Sequence, residues 1–389
     1  MKTMVRAGLI GALVLAAIPV IRAEEPAAEA YTWGVHARWK EMEGDIDGAI
    51  ADYSKAIAVY PQDPQPFNAR AALKKQQGDL AGAIADYDKA IALNPKKDAE
   101  IIYANRGSAR QENGDDDGAL ADYNQVLVLK PDYSVIYNNR ALIRETKGDL
   151  DGALADFDKA IALQPDEADF YSNRAAARQA KGDLTGATAD FDKPVALDPK
   201  RPMAYYERAR FRRNTGDLDG AITDFSQVCT LAPKASMGYF SRGVTQQVKG
   251  DLEAAVSDYD KAMATGPDFQ STIWPFREIA LRQLHRGTPF AEMAKTVAGW
   301  TEGWSKSTGL YLIEALPERD YFAKADQGSA TAASAQRCGA LYFAGMTRLL
   351  TGDEAAARGF FEQCVATKQP NCDEFILARA EVARLAKKS

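Results

Sequence analysis

The chain has 389 residues, of which 46% are hydrophobic and 26% are charged, and its formal net charge is −6 at pH 7. This composition is typical of a soluble folded protein and argues against a disordered or membrane-embedded one. The acidic charge, without a basic stripe interleaved with aromatic residues, also argues against nucleic acid as a partner.

The first 23 residues have the pattern of a secretory signal peptide. Lys2 and Arg6 supply a basic start, residues 7–21 are an apolar run, and Ala23 ends a plausible cleavage site. The run is shorter than the ~20 residues of an ordinary spanning helix, so we expect cleavage rather than an uncleaved anchor. Removal of the three positive charges in this segment would take the net charge from −6 to −9. No cysteine that could carry a lipid precedes Cys229, so we predict a periplasmic or secreted protein without membrane insertion.

Residues 24–29 are expected to form a short mobile leader, and a closely periodic region begins at residue 30. Consecutive Gly-Asp markers lie 34 residues apart, except for one step of 36 around Lys96–Asp98 and a last step of three periods. The glycines of these markers are Gly44, Gly78, Gly114, Gly148, Gly182, Gly216, Gly250 and Gly352. A period held this closely predicts one structural unit stacked on itself.

Two further columns indicate which face of the repeat is buried. An alanine lies five residues after each marker glycine, at Ala49, Ala83, Ala119, Ala153, Ala187, Ala221, Ala255 and Ala357. An aromatic residue follows four residues later, at Tyr53, Tyr87, Tyr123, Phe157, Phe191, Phe225, Tyr259 and Phe361. A spacing of four places both columns on one helix face, directed into the stack. The glycine ends a first helix, the aspartate after it can cap a second, and a proline such as Pro165 closes the unit.

These columns resemble those of the tetratricopeptide repeat. Its seven characteristic positions are filled here by Tyr137, Ala141, Gly148, Ala153, Phe157, Ala160 and Pro165. The resemblance implies an all-α fold, a right-handed α-solenoid of stacked antiparallel helix pairs, whose concave groove binds segments of partner proteins. It covers seven repeats over residues 30–267 and a terminal repeat over residues 338–371. Residues 268–337 are expected to form two diverged repeats, and residues 372–389 a helix that covers the open end of the stack.

A weaker resemblance to bacterial envelope adaptor proteins with these repeats implies the assembly of envelope complexes.

Two local features depart from the regular pattern. Pro194 replaces an alanine inside a predicted helix and is expected to kink that helix or end it early. Trp300 and Trp304 lie four residues apart in the diverged region, and we expect them in its core.

Two columns of opposite charge run through the repeats. The basic column is Arg70, Arg106, Arg140, Arg174, Arg208 and Arg242. The acidic column is Asp52, Asp86, Asp122, Asp156, Asp190, Asp224 and Asp258. We expect each arginine to pair with an aspartate of a neighbouring helix, because an unpaired and partly buried charge would be costly. The alternative is an exposed arginine ladder that carries an anionic polymer or a small ligand.

The position before the arginine carries Asn105, Asn139 and Asn173 in repeats three to five. The resemblance places these asparagines, with Asn138, in the concave groove, where an amide can donate to and accept from a peptide backbone. The alternative is that they are solvated or bond within the scaffold. The carboxylate clamp known in this family is not supported, because its groove positions hold Gln65, Asn68, Ala104, Val135, Asn138 and Ser172.

In repeats six and seven the groove positions become apolar and aromatic. They are Met203, Tyr206, Met237, Phe240 and Val244, with Arg210 and Arg213 beside them. Exposed methionine and aromatic residues next to arginine are typical of protein-binding hot spots. The alternative is that these side chains pack on the following helix.

Three of the four cysteines, Cys338, Cys364 and Cys372, lie in the last repeat and just beyond it. Because paired helices bring a start and an end together, Cys338 can reach either of the other two. We favour a Cys338–Cys372 disulfide, since Cys372 lies in a loop that can adjust to disulfide geometry, and Cys338–Cys364 stays open. Cys229 is expected to be a buried free thiol.

The residues needed for catalysis or metal binding are sparse. His36 and His285 are the only histidines and lie far apart, so they support neither a histidine-based zinc motif nor a serine–histidine triad. Some turns, such as Gly44–Gly48, resemble the start of a calcium loop but lack its twelfth-position glutamate. We therefore expect no enzyme, no cofactor and no metal, but a scaffold whose partners are other proteins.

Overall fold

The computed structural model describes residues 25–93, 98–370 and 372–387. Within these residues all regular secondary structure is helical, with twenty-one α-helices, a 3₁₀ turn at Pro267–Phe269 and no strand. Consecutive helices pack on one another in pairs, which confirms the predicted all-α class. The predicted signal peptide lies outside the described residues.

The Gly-Asp marker forms the turn within each helix pair. Gly148 follows α7 (Ser134–Thr146) with φ +82°, in the left-handed region that favours glycine. Asp149 then accepts a hydrogen bond from the Gly152 N–H at 3.0 Å and so caps α8 (Leu150–Leu163). A Cβ on Gly152 would lie 2.2 Å from the Asp149 carboxylate, so glycine allows the carboxylate to lie this close, although an alanine donates the same cap bond to Asp251 and Asp353 in later repeats.

The chain forms two compact units, one ending at Ala187 and the other beginning at Thr188. In the first unit a small cluster of buried alanines and one aromatic ring, such as Ala141, Ala153, Phe157 and Ala177, holds neighbouring helices together. Besides α7 and α8, its helices are α1 (Glu25–Glu43), α2 (Ile46–Val59), α3 (Pro64–Gln76), α4 (Leu80–Ala92), α5 (Ala99–Glu112), α6 (Asp116–Leu129) and α9 (Ala168–Lys181).

The predicted mobile leader is wrong for its described residues. Helix α1 starts at Glu25, so residues 25–29 belong to the first helix of the stack. Alanine and glutamate are strong helix formers, and Ala30, one residue further, is already buried. The short stretch therefore continues the helix that follows it.

Helix α10 (Leu184–Leu197) contains the division between the units. It runs through Pro194 to Leu197, so the predicted early end of this helix is wrong. Proline removes one helical hydrogen bond, but only the last turn follows it here. The Pro194 carbonyl still accepts a hydrogen bond from the Asp198 N–H at 3.0 Å, which closes that turn.

The second unit begins with two regular pairs and continues with shorter, irregular helices. The regular helices are α11 (Pro202–Thr215), α12 (Leu218–Leu231), α13 (Ser236–Lys249) and α14 (Leu252–Thr265). The others are α15 (Gln270–Gln283), α16 (Phe290–Ala298), α17 (Trp304–Leu312), α18 (Glu318–Ala325), α19 (Ala330–Leu350), α20 (Glu354–Ala366) and α21 (Asp373–Ala386). Helix α19 starts at Ala330, whereas the predicted repeat boundary placed the start of this helix at residue 338. Cys338 therefore lies within the helix and not at its start.

One large hydrophobic core holds the second unit from Val244 to Leu385. Trp300 and Trp304 pack against it, as expected, and Trp304 stacks on Tyr321 with ring centroids 5.0 Å apart. Among the described helices, none combines the length and apolar character needed to cross a bilayer.

Candidate functional site

The two charge columns meet within helix pairs. Arg140 of α7 clamps Asp156 of α8 with two hydrogen bonds, Nε to Oδ2 at 2.8 Å and Nη2 to Oδ1 at 2.6 Å. The same two-pronged pairing joins Arg70 to Asp86, Arg106 to Asp122, Arg208 to Asp224 and Arg242 to Asp258. Asp190 is buried as well, and Arg174 donates to Asp158 at 2.7 Å. In the first repeat, Asp52 pairs with Lys40 and Lys55 instead.

A second basic residue joins four of these clamps, those on Asp86, Asp122, Asp156 and Asp224. Arg144 Nη1 donates to Asp156 Oδ2 at 2.7 Å, so two guanidinium groups share one buried carboxylate. The Tyr137 ring covers the Arg140 guanidinium, 5.5 Å from its centroid. Sequence reasoning missed this second basic column, although a basic residue recurs four positions after five of the six arginines, in Lys74, Arg110, Arg144, Arg178 and Arg212, while Gln246 follows Arg242.

The asparagines of the first unit form a ladder of side-chain amides, which we call the asparagine ladder. Its members are Asn68, Asn105, Asn138, Asn139 and Asn173. Asn105 Nδ2 donates to Asn68 Oδ1 at 3.4 Å, and Asn173 Nδ2 donates to Asn138 Oδ1 at 2.8 Å. Asn138 is buried, whereas the other four are half-buried. The two bonds therefore join amides of repeats two and three and of repeats four and five, and four of the five side chains stay partly exposed.

Asn139 also bonds within the scaffold. Burial raises the pKa of Tyr123 to about 12, and a hydrogen bond from the Asn139 side chain opposes that rise. Asn138 Nδ2 lies 3.4 Å from Asn139 Oδ1. Among the predicted groove asparagines, Asn105 and Asn173 each bond to one side-chain amide of a neighbouring repeat within the described residues.

A cavity of about 320 Å³ lies at the N-terminal end of the asparagine ladder. Asn68 belongs to both, and Tyr31, Arg38 and Gln65 line the cavity from α1 and α3. The Tyr31 ring is 70% exposed. An exposed aromatic ring beside amide and guanidinium groups can pack on an apolar side chain while the polar groups hold a backbone.

The predicted hot spot of the second unit divides into exposed and packed side chains. Met203 and Met237 are 44% and 50% exposed. Tyr206 instead packs edge-on against Phe225, and Phe240 packs against Tyr259 and Phe276. For these two aromatic residues the alternative of packing on neighbouring helices therefore applies.

Met237 and Phe240 line a mostly apolar cavity of about 560 Å³, which we call the methionine cleft. Phe269, which is 58% exposed, and Ile273 contribute to its apolar lining, and Lys234 and Asp268 line it as well. Sequence reasoning did not include Phe269, because it lies in a 3₁₀ turn beyond the regular repeats.

Two residues expected in this groove are covered instead. Val244 is fully buried in the large core. Arg213 is 3% exposed and forms an ion pair with Asp373 at 2.9 Å. Helix α21 covers this face, and Arg384 anchors it by donating to the backbone oxygens of Gln247 and Val248 at 2.9 Å. The prediction of Arg213 and Val244 as groove residues is wrong because α21 packs on α13 from far along the chain.

Three cysteines gather where α19, α20 and α21 meet. Cys338 Sγ lies 3.2 Å from Cys364 Sγ, and the Cys372 thiol donates to Glu374 Oε2 at 2.8 Å. All four cysteines are free thiols in this structure, and Cys229 is buried. The Cys338–Cys372 disulfide stays a prediction. Among the described residues, no group of three or more histidine, cysteine or acidic side chains is placed to hold a metal ion.

Family models match much of the regular region. A TPR repeat model matches residues 146–182, and a tetratricopeptide repeat model matches residues 42–98, 68–134 and 172–236. No curated protein matches this chain.

Solved structures support the same fold. A tetratricopeptide repeat protein from Parabacteroides merdae aligns with a TM-score of 0.52 at 21% identity, over 65% of this chain and 99% of its own. The C-terminal part of a TPR repeat-containing protein from Cytophaga hutchinsonii gives a TM-score of 0.51 at 17% identity, over 60% and 95%.

Repeats of this kind suggest a scaffold for protein–protein interaction, and proteins that carry them are generally non-enzymatic. The matched repeats coincide with the helix pairs and their capped Gly-Asp turns. This chain is a member of the tetratricopeptide repeat family.

Proposed function

We propose that this chain is an exported scaffold that binds an extended segment of a partner protein along the asparagine ladder and assembles envelope complexes. The observation that carries the proposal is the pairing of Asn68 with Asn105 and of Asn138 with Asn173, beside the cavity that Tyr31 lines. Partly exposed amides in several repeats can donate to and accept from an extended backbone. Export rests on the signal pattern of residues 1–23.

The methionine cleft supplies a second contact surface of different chemistry. An apolar side chain of a partner can enter beside Met237 and Phe269, because methionine adapts its shape to what it contacts. In this proposal the asparagine ladder holds a backbone and the methionine cleft holds an apolar anchor. A partner can use either surface independently.

The alternative of an anionic-ligand carrier finds less support. The Arg140 and Arg174 side chains are each only 14% exposed, and the guanidinium of Arg140 donates to Asp156. An anionic polymer would have to compete with that buried carboxylate for the same donors. Titration of the folded chain with polyphosphate tests the carrier directly, and tight binding with an unchanged helical spectrum would favour it.

The main proposal is tested by crosslinking capture from a periplasmic extract. Replacing Asn105, Asn139 and Asn173 together by alanine should reduce recovery of specific partner proteins by about tenfold or more, since several backbone hydrogen bonds are lost. A matched control replaces the exposed turn amides Gln77 and Asn113 by alanine and should leave capture unchanged. Circular dichroism of both variants must show an unchanged helical melt. Equal capture by the triple variant and the wild-type chain would overturn the proposal.

A further inference from the structure

The three C-terminal thiols form a connected set. Cys338 Sγ is 3.2 Å from Cys364 Sγ. Cys338 also neighbours Cys372, and of the surrounding groups it raises the pKa of the Cys372 thiol most. Cys338 is therefore the shared neighbour of two thiols that lie on different elements, Cys364 in α20 and Cys372 at the start of α21.

Access from solvent differs among the three thiols. Cys338 and Cys364 are fully buried, whereas Cys372 is partly exposed. A dissolved disulfide compound can therefore reach Cys372 first and the inner pair only afterwards. Cys372 is therefore the accessible thiol of the cluster, Cys338 is the central thiol, and Cys364 is the inner thiol.

We propose that this cluster is a thiol–disulfide exchange site that reacts with a small-molecule or protein disulfide at Cys372 and stores the oxidation as Cys338–Cys364. The function goes beyond partner binding, and it does not depend on the asparagine ladder. Both disulfides considered from the sequence occur in this reaction, because Cys338–Cys372 is its intermediate and Cys338–Cys364 is its product.

The reaction has three balanced steps. The Cys372 thiolate attacks one sulfur of the external disulfide, forms a mixed disulfide and releases one thiol, which takes the proton that Cys372 lost. Cys338 then attacks the Cys372 sulfur, so the Cys338–Cys372 bond forms and the second external thiol leaves with the Cys338 proton. Cys364 finally attacks the Cys338 sulfur, and Cys372 is released as a thiol with the Cys364 proton. In total, two protein thiols are oxidised and one external disulfide is reduced to two thiols.

Glu374 contributes to the rate of the first step. Its carboxylate accepts the Cys372 thiol hydrogen at 2.8 Å. The pKa of Cys372 is raised by the neighbouring Cys338, by burial and by the charge of Glu374. Since the thiolate is the attacking form, the site reacts slowly at neutral pH and faster as the pH rises.

The test uses the full-length reduced chain, glutathione disulfide as the probe, acid quenching and mass spectrometry of the bridged peptides. The wild-type chain should lose two thiols and accumulate Cys338–Cys364, while Cys229 stays reduced. Cys372→Ser should oxidise at least about tenfold more slowly, because only buried thiols remain in the cluster. Cys364→Ser should stop at Cys338–Cys372, and Cys338→Ser at the mixed disulfide on Cys372.

Two further variants sharpen the result. Glu374→Gln should speed oxidation at pH 7 by up to about tenfold, because the loss of its negative charge lowers the pKa of Cys372. Cys229→Ser should behave as the wild-type chain. Oxidation of Cys372→Ser at the wild-type rate, or no reaction of any cluster thiol, would overturn the proposal. Because Cys372 is partly exposed, Cys372→Ser should keep the wild-type helical melt. The comparison of Cys372→Ser with the wild-type chain therefore holds even if a substitution of Cys338 disturbs folding.

Discussion

The pair α7–α8 and the C-terminal helices α13–α21 achieve stability in different ways. In the pair, one aromatic ring, Phe157, sits among alanines, and a charged clamp on Asp156 ties the helices together. In the C-terminal helices, a single core joins segments that are more than a hundred residues apart. For example, the Phe276 ring contacts both Phe240 and Phe343. The first arrangement is modular and the second is cooperative, so damage should remain local in one and spread in the other.

The largest expected effect comes from removing one core ring in each region. Phe361→Ala and Phe157→Ala each delete a fully buried side chain and should each lower the free energy of unfolding by about 3–5 kcal/mol. Native-state hydrogen exchange should separate them. Phe157→Ala should raise exchange in α7–α9, whereas Phe361→Ala should raise it throughout α13–α21. An effect of Phe361→Ala confined to α19 and α20 would contradict the cooperative interpretation.

The charged clamp should be the next most sensitive element. Asp156→Asn leaves the Arg140 and Arg144 guanidinium groups facing a neutral amide, and should lower the free energy of unfolding by about 3 kcal/mol. The matched control is Asp158→Asn, since Asp158 also pairs with an arginine but is 60% exposed. That change should cost about 0–1 kcal/mol. Urea denaturation checks both, and equal losses would show that burial of the carboxylate is not what matters.

The regular repeats, of which α7–α8 is an example, form the modular region. Their structure was largely predictable from the sequence because their geometry repeats. The spacing of Gly148 and Phe157 fixed the turn and the buried face, and the opposed columns of Arg140 and Asp156 indicated their pairing. The sharing of Asp156 with Arg144 was missed, although the recurring basic residue four positions later could have revealed it.

The candidate site was less predictable, because its exposure depends on contacts that no period records. Arg213 and Val244 occupy positions that suggest an open groove, but α21 and the large core cover them. Whether Phe240 is free depends on Phe276, which lies in a helix without the repeat pattern. Repetition predicts contacts between neighbouring repeats, whereas the covering of a surface is decided by distant segments.

Two glycines at the same place in their repeats offer a finer comparison. A Cβ on Gly345 would lie 2.5 Å from Cε1 of Phe361, and a Cβ on Gly107 would lie 2.8 Å from Cε1 of Tyr123. Gly345→Ala should lower the free energy of unfolding by about 1–3 kcal/mol, because the ring is fixed within the large core. Gly107→Ala should change it by less than about 1 kcal/mol, because the gain in helix propensity offsets a small ring movement.

Thermal and urea denaturation of the two glycine variants provide the measurement. Repeat two already combines Ala71 with Tyr87 at these two positions, which shows that an alanine and a tyrosine fit together there. A loss for Gly107→Ala as large as that for Gly345→Ala would mean that the modular region is packed as rigidly as the C-terminal core.

The smallest expected effect is the acid sensitivity of a single clamp. Burial alone would raise the pKa of Asp86, but hydrogen bonds from Arg70 and Lys74 outweigh burial and hold the pKa below its usual value. A carboxyl whose pKa is lowered on folding stabilises the protein fully above the pKa of the unfolded chain, about 3.9. This contribution is lost as the pH falls through the lower value of the folded state.

The wild-type chain should therefore lose stability between pH 7 and pH 3, and Asp86→Asn should show a smaller loss over the same range, from a lower starting stability. Urea midpoints at both pH values provide the measurement, with Asp88→Asn as an exposed control that should keep the wild-type pH dependence. Because one clamp recurs in most repeats, Asp86 accounts for only a share of the total. An unchanged pH dependence in Asp86→Asn would mean that the clamp holds its charge no more strongly than the unfolded chain does, and the modular region would then depend on its alanine and aromatic packing alone.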